Sequence, residues 1–200
     1  GVYAITDTRY YINTQELLHQ VEAALKGGIA ILQYRNKTAP LHQKKQELQA
    51  LKELCQAYQR PLLVNDSIDL AQKFSLGVHL GQKDGCAQKA REQLGKEAII
   101  GVTCHDSWEL VEKNAPFVDY VALGACFPSH TKPEAIVANH TSLAKIITAC
   151  QAQFSCKLVG IGGIHADNAQ QIALLGFDYL ACISAIWSAP SIEDSVRQLI

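Results

Sequence analysis

The chain has 200 residues, of which 48% are hydrophobic and 18% charged, and its formal net charge at pH 7 is −1. This composition supplies enough apolar material for a folded core, and the lack of a basic excess argues against nucleic acid as a partner. Because there is no apolar run of about 18 residues and no basic segment before an apolar N-terminal stretch, we expect neither a membrane span nor a signal peptide. A cytoplasmic location is the default expectation.

Short apolar runs alternate with amphipathic segments along the whole chain. The apolar runs predict eight strands, at residues 2–7, 30–37, 61–65, 77–80, 98–102, 118–123, 157–161 and 179–183. The amphipathic segments predict eight helices, at residues 17–25, 41–58, 67–74, 86–94, 107–113, 141–153, 166–175 and 191–199.

This alternation predicts a single α/β domain over residues 1–200. Strands that are apolar throughout, with short connections to helices, indicate a parallel sheet covered by helices. Eight repeats favour closure into a (β/α)8 TIM barrel. An open doubly wound sheet is the alternative, and it is disfavoured because no G-x-G-x-x-G follows the first strand.

The seven cysteines are scattered and form no C-x-x-C pair. An odd number without that spacing argues against a disulfide framework and against a structural zinc site. We expect most of them to be small core residues.

The second predicted strand is apolar at its start and passes directly into a polar tip, residues 33–37. Residues two apart in a strand share a face, so Gln33, Arg35 and Lys37 are expected to project the same way, with Tyr34 and Asn36 on the opposite face. The tip offers donors and two positive charges but no carboxylate, which suits a phosphate or diphosphate. An ordinary solvated strand edge is the alternative.

Carboxylates follow the next two strands. In a barrel the active site lies at the carboxyl ends of the strands, so Asp66 and Asp84 are expected close together, where they would repel each other unless a cation lies between them. Mg²⁺ fits, because it takes a few carboxylates together with phosphate oxygens. The alternative is that each aspartate only caps the helix that follows it.

The later strands end in small and polar residues. Gly162 and Gly163 follow one strand and Ser184 the next, an arrangement that resembles the phosphate-binding loops of many barrels. The segment 129–132 adds two hydroxyls and an ammonium group. His79 is expected to be a satisfied core histidine, and no histidine is assigned a catalytic role.

Taken together, five motifs resemble the thiamine-phosphate synthase family, over a match that runs from Tyr3 to Ile186. The motifs are Gln33-Tyr34-Arg35-Asn36-Lys37, Val64-Asn65-Asp66, Gly77-Val78-His79-Leu80-Gly81-Gln82-Lys83-Asp84, Phe127-Pro128-Ser129-His130-Thr131-Lys132 and Ile161-Gly162-Gly163-Ile164. The resemblance implies a barrel enzyme that joins hydroxymethylpyrimidine diphosphate to a thiazole phosphate, releases pyrophosphate and uses Mg²⁺.

The resemblance also implies a role for individual residues. The pyrimidine diphosphate would contact Gln33, Tyr34, Arg35, Asn36, Lys37, Asn65, Thr103 and Lys132, of which Arg35, Lys37 and Lys132 would be catalytic through their positive charge. The thiazole phosphate would contact Ser129, His130, Thr131, Gly163, Ile183 and Ser184, and the metal would be held by Asp66 and Asp84.

Two other functions are compatible with the same fold. The related thiazole tautomerases use a histidine after the glycine of strand six, whereas this chain has Gly124-Ala125-Cys126 there. A non-catalytic protein that binds thiamine precursors is the second alternative, and the intact cationic and carboxylate set argues against it. A homo-oligomer is compatible with the sequence.

Overall fold

The protein is described by a computed structural model that covers residues 1–129 and 131–200. His130, predicted to contact the thiazole phosphate, lies outside the described residues. The strands are β1 (Val2–Ile5), β2 (Ile31–Tyr34), β3 (Leu62–Asn65), β4 (Gly77–Leu80), β5 (Ile100–His105), β6 (Tyr120–Leu123), β7 (Lys157–Ile161) and β8 (Tyr179–Cys182). The helices are α1 (Thr14–Gly27), α2 (Leu41–Ala57), α3 (Ile68–Phe74), α4 (Ala87–Leu94), α5 (Trp108–Asn114), α6 (His140–Gln153), α7 (Ala166–Ala173), α8 (Ser184–Trp187) and α9 (Ile192–Gln198).

The eight strands form one closed barrel in chain order, with every neighbouring pair parallel. The predicted (β/α)8 TIM barrel is confirmed, and the open doubly wound alternative is wrong because β1 pairs with β8. Each β-to-α connection therefore lies at the carboxyl edge of the barrel.

Several predicted features differ from the structure. The first strand was expected to run to residue 7 but ends at Ile5, and the fifth was expected at residues 98–102 but spans Ile100–His105. The second strand was expected to run to residue 37, but β2 ends at Tyr34, because the side chain of Asn36 accepts hydrogen bonds from the backbone of Thr38 and Ala39 and turns the chain. Eight helices were expected, but α8 adds a ninth among the described residues. It is only four residues long, too short to show a helical period.

The strands bury both of their faces. One face lies inside the barrel, where Tyr3, Ile31, Leu63 and Val159 pack together. The opposite face packs against the helices in a larger cluster that includes Leu32 and most of the cysteines. This double burial explains why the strands read as continuous apolar runs.

Polar side chains define the starts of several helices. Ser67, Ser107 and Ser191 each accept a hydrogen bond from the backbone N–H three residues later, and Asn13 does the same at α1. These caps satisfy N–H groups that have no partner within the helix. They fix where each helix leaves the loop above the barrel.

In the described part of the chain, every helix is too short or too polar to cross a membrane.

Candidate active site

Arg35 lies just beyond β2, at the carboxyl edge of the barrel, and is held from the neighbouring strand. Its backbone N–H donates to Thr6 Oγ1 at 2.8 Å, and its guanidinium lies 3.7 Å from the carboxylate of Asp7. Asp7 also accepts two hydrogen bonds from the Arg9 guanidinium, each of 2.9 Å. Burial works to raise the pKa of the Asp7 carboxyl, but the Arg9 hydrogen bonds and the Arg35 charge outweigh it and keep that pKa below its ordinary value.

Lys37 joins the same edge of the barrel from the other side. Its ammonium group lies 3.5 Å from Asp66 at the end of β3. The two cations that flank Asn36 therefore face carboxylates that follow β1 and β3. Gln33, Arg35 and Lys37 were predicted to project the same way; in the structure Gln33 points to Tyr3 inside the barrel, Arg35 lies beside Asp7 and Lys37 lies beside Asp66.

Asp66 and Asp84 come together, as the sequence predicted. Burial, followed by the negative charge of Asp66, raises the pKa of the Asp84 carboxyl. Asp84 also accepts a hydrogen bond from the backbone N–H of Gly81 at 3.1 Å. The pair is a site of unfavourable negative charge that a cation or a proton would relieve.

The capping alternative for the two aspartates is wrong. Ser67, not Asp66, caps α3, and α4 begins after Cys86 without a side-chain cap. The backbone φ of Asp66 is +67°, a left-handed conformation that few residues other than glycine adopt. This conformation is held by a hydrogen bond from the Asp66 N–H to the carbonyl of His79, and such strain is often found at functional sites.

These residues can supply part of a magnesium site. A group of three or more His, Cys, Asp or Glu side chains arranged for a metal is absent from the described ranges, so the protein offers this pair of carboxylates and no complete cage. Hard oxygen ligands that leave positions for phosphate and water oxygens are what Mg²⁺ prefers. The residues present therefore fit the predicted ion.

A cavity of about 550 Å³ opens beside the aspartate pair. Lys37, Asn65, Asp66 and Asp84 contribute to its wall, together with Lys44 from α2. The cavity thus brings two cations to one surface with three carboxylates, because Asp69 also contributes to its wall.

Tyr34 and Asn36 turn their polar atoms away from this edge. The Tyr34 hydroxyl donates to Glu47 Oε2 at 2.5 Å, and the Asn36 amide donates to the same oxygen at 3.0 Å and to the Tyr11 hydroxyl at 3.2 Å. Both residues are buried against α2. Both residues contribute to the wall of the cavity beside Lys37, but their polar atoms bond Glu47 and Tyr11.

Gln33 and Thr103 are joined by a chain of hydrogen bonds through the barrel interior. Gln33 Nε2 donates to the Tyr3 hydroxyl at 2.7 Å, which lies 2.6 Å from the Tyr120 hydroxyl. The Tyr120 hydroxyl lies 2.8 Å from His79 Nδ1, and His79 Nε2 lies 2.9 Å from Thr103 Oγ1. We call these five residues the interior relay.

The direction of the interior relay follows from its first donor. Because the Gln33 amide donates to Tyr3, the Tyr3 hydroxyl proton needs another acceptor, and among the described residues Tyr120 supplies it. Tyr120 then donates to His79 Nδ1, and the His79 Nε2–H donates to Thr103. Since no acceptor for the Thr103 hydroxyl proton lies among residues 1–129 and 131–200, that proton can be donated to a ligand.

His79 is a satisfied core histidine, as predicted. It is 7% exposed and both of its ring nitrogens have partners. Burial lowers the pKa of the imidazole to about 4, so the ring is neutral at pH 7. A neutral ring is what the direction of the relay requires.

The loop after β7 contacts the loop after β6. Gly163 has a φ of +62°, and a Cβ atom there would lie 2.3 Å from the carbonyl oxygen of Pro128. The Phe127 N–H donates to the carbonyl of Gly162 at 3.0 Å. Only glycine at position 163 permits this approach, which brings the segment with Ser129 beside Gly163.

The remaining predicted residues lie around the same edge. Thr131 donates its N–H to Ser129 Oγ at 3.2 Å, and Lys132 is an exposed residue of the same loop. Ile183 follows β8 at the barrel interior, and Ser184 begins α8.

The sequence did not predict a role for four residues of this region. Asp7 pairs with Arg35, Tyr3 and Tyr120 carry the interior relay, and Glu47 anchors Tyr34 and Asn36. The only signal for Tyr3 and Tyr120 is a hydroxyl in a strand that is otherwise apolar. Glu47 gives no signal, since a glutamate in an amphipathic helix is ordinarily exposed.

Comparison with known proteins gives a consistent result. A family model described as thiamine monophosphate synthase matches residues 2–186. The thiamine-phosphate synthases of Saccharophagus degradans and Halorhodospira halophila are 43% and 40% identical to this chain over its whole length, which covers 91% and 92% of theirs.

Solved structures show the same relationship. A thiamine phosphate pyrophosphorylase from Pyrococcus furiosus has a TM-score of 0.84 and 31% identity, over 99% of this chain and 92% of that chain. A second such protein, from Bacteroides thetaiotaomicron, has a TM-score of 0.71 at 18% identity over 99% of this chain and 94% of that one, which shows the shared fold alone.

Proposed function

The chain belongs to the thiamine-phosphate synthase family and is a transferase, and from this premise we propose that it joins hydroxymethylpyrimidine diphosphate to a thiazole phosphate, giving thiamine phosphate and pyrophosphate. The observation that carries the proposal is the meeting of Lys37 with Asp66 beside Asp84, at the edge where Arg35 also lies. Cations next to a carboxylate pair suit a diphosphate that arrives with a divalent ion.

The proposed reaction begins with cleavage of the bond between the pyrimidine methylene carbon and the diphosphate oxygen. Both bonding electrons leave with the oxygen, so negative charge grows on the diphosphate. Arg35, Lys37 and Lys132 would stabilise that charge, and each contact between unit charges at about 4 Å is worth roughly 4 kcal/mol at an effective dielectric of about 20, before desolvation is subtracted. Mg²⁺ held by Asp66 and Asp84 would add Lewis-acid stabilisation of the same leaving group.

The interior relay supports binding of the pyrimidine diphosphate. Thr103 is left with a hydroxyl proton to donate, and no described residue donates to the Gln33 amide oxygen, which is therefore available as an acceptor. An aminopyrimidine offers N–H donors that match the Gln33 oxygen, and the diphosphate offers acceptors that match the Thr103 hydroxyl.

The second substrate then completes the bond. The thiazole ring nitrogen attacks the pyrimidine cation, so no protein nucleophile is needed. The loops with Ser129, Thr131 and Gly163, together with Ser184, would bind the thiazole phosphate and hold the nitrogen in reach.

The test is direct assembly of the reaction. Purified protein with both substrates and Mg²⁺ is expected to form thiamine phosphate and pyrophosphate in equal amounts, measured by chromatography and by a coupled pyrophosphate assay. Omitting either substrate should abolish both products. Failure to form thiamine phosphate from the complete mixture would contradict the proposed function.

A further inference from the structure

Glu47 is a fully buried carboxylate beneath the cationic tip of β2. Its side chain is 0% exposed, and none of the ion pairs among the described residues includes it. Instead, three neutral donors satisfy it: the Tyr34 hydroxyl, the Asn36 amide, and the Gln43 amide, which donates to Oε1 at 2.9 Å. A buried charge is costly, and an apolar residue of similar volume is often the more stable choice at such a position.

Two of the three donors to Glu47 lie on either side of Arg35. Tyr34 is the last residue of β2, and Asn36 is the residue that turns the chain after it, through hydrogen bonds from the Thr38 and Ala39 N–H groups at 3.3 and 2.9 Å. Hydrogen bonds to Glu47 on α2 therefore hold the residues on both sides of Arg35. The charged groups of Arg35 and Lys37 face the barrel edge.

We propose that Glu47 is a positioning residue that holds the segment 35–37 in the geometry that binds a diphosphate. Arg35 and Lys37 lie outside regular structure, so without this anchor their segment would lose more conformational freedom when the ligand binds, which weakens binding. Anchoring Tyr34 and Asn36 lowers that cost before the ligand arrives. The inference rests on the proposed function, since it takes the diphosphate as the ligand of Arg35 and Lys37.

Inorganic pyrophosphate is the probe for the test. Its dissociation constant is measured by calorimetry, with Mg²⁺ held constant, for the wild-type chain and for Glu47→Ala, Glu47→Gln and Tyr34→Phe. We expect Glu47→Ala to weaken binding about tenfold, and Tyr34→Phe to weaken it less because Asn36 stays anchored. Glu47→Gln should stay near the wild-type value, since its amide oxygen can still accept from Tyr34 and Asn36.

The matched control is Leu51→Ala, which truncates another fully buried side chain on α2. It is expected to lower stability without changing pyrophosphate affinity. Amide hydrogen exchange gives a second readout: Glu47→Ala should speed exchange at residues 35–39, whereas Leu51→Ala should not. Equal affinity and equal exchange in Glu47→Ala and Leu51→Ala would overturn the inference.

The wild-type measurement separates this inference from the proposed function. A wild-type chain that does not bind pyrophosphate overturns the proposed function, and the inference falls with it. A wild-type chain that binds while Glu47→Ala and Tyr34→Phe bind equally well overturns the inference alone. If Glu47→Ala does not fold, Tyr34→Phe decides the outcome, because it removes one hydroxyl and keeps the buried ring.

Discussion

The protonation of Asp84 depends directly on the neighbouring carboxylate of Asp66. Its pKa is raised by burial and by the charge of Asp66, so the pair is strained when both carboxylates are ionised. A bound divalent ion would remove that repulsion. If the pair binds Mg²⁺ as proposed, removing one carboxylate should lower both the affinity for Mg²⁺ and the turnover.

We predict that Asp84→Asn abolishes most Mg²⁺-dependent turnover and leaves the fold intact. The amide keeps the shape and can still accept from Gly81, but it supplies no charge to the ion. The measurement is kcat against Mg²⁺ concentration, with the thermal unfolding midpoint as the check on folding. Glu97→Gln, an exposed charge loss before β5, is the control and should behave as wild type. Wild-type rates in EDTA would contradict the metal assignment.

Lys132 tests the division between the two phosphate sites. It is an exposed residue on the β6–α6 loop, so its removal should cost little stability. We predict that Lys132→Ala lowers kcat by about tenfold to a hundredfold, because less positive charge faces the departing diphosphate. Lys96→Ala, whose side chain is 91% exposed, is the control. If Lys132→Ala changed only the KM for the thiazole phosphate, Lys132 would belong to the other phosphate site.

At the scale of single elements, β5 packs against the Tyr120 ring of the interior relay. A Cβ atom on Gly101 would lie 1.9 Å from Tyr120 Cζ, so the glycine leaves the space that the ring occupies. This fit depends on β5 and β6 pairing in register, with Gly101 opposite Tyr120. A glycine in the middle of a strand therefore has a packing reason here.

We predict that Gly101→Ala destabilises the protein by about 3 kcal/mol or more and breaks the relay, because the Tyr120 ring must move. The measurements are denaturant unfolding and the KM for the pyrimidine diphosphate. Val102→Ala is the control, since the neighbouring side chain faces the helices and loses only packing. A KM that rises equally in both variants would show that the relay does not support substrate binding.

The sequence predicted the elements better than it predicted their contacts. Apolar runs located all eight strands, and the polar residues that end them, such as Asp66 and Asp84, were predicted together because parallel strands share an edge. The pairing of Asp7 with Arg35 and of Tyr3 with Tyr120 was not predicted. Such pairs depend on which interior faces meet across a closed barrel, and a local pattern contains no information on that.

At the scale of the whole molecule, the barrel is closed by the pairing of β1 with β8, which we call the seam. The Leu180 N–H donates to the carbonyl of Gly1 at 2.9 Å, and the Gly1 amino group donates to the carbonyl of Asp178 at 2.8 Å. Farther along the seam, the Trp187 indole N–H donates to the carbonyl of Ile5 at 2.6 Å. The short helix α8 thereby fastens the last strand to the first at the edge that carries the site.

We predict that Trp187→Phe lowers stability by about 1–3 kcal/mol for the lost hydrogen bond alone, because the Ile5 carbonyl is left without its partner inside the protein. For a chain of this size each kcal/mol corresponds to roughly 2–4 °C in the unfolding midpoint, which differential scanning calorimetry resolves. The chain offers a matched control in its other tryptophan, Trp108, which lies on α5 and packs against Phe154. Trp108 is distant in sequence from the residues of the seam. Trp108→Phe makes the same change in size without removing a contact between β1 and α8. If both variants lost equal stability, the indole hydrogen bond would not be what closes the seam, and closure would rest on the backbone pairing of β1 with β8 alone.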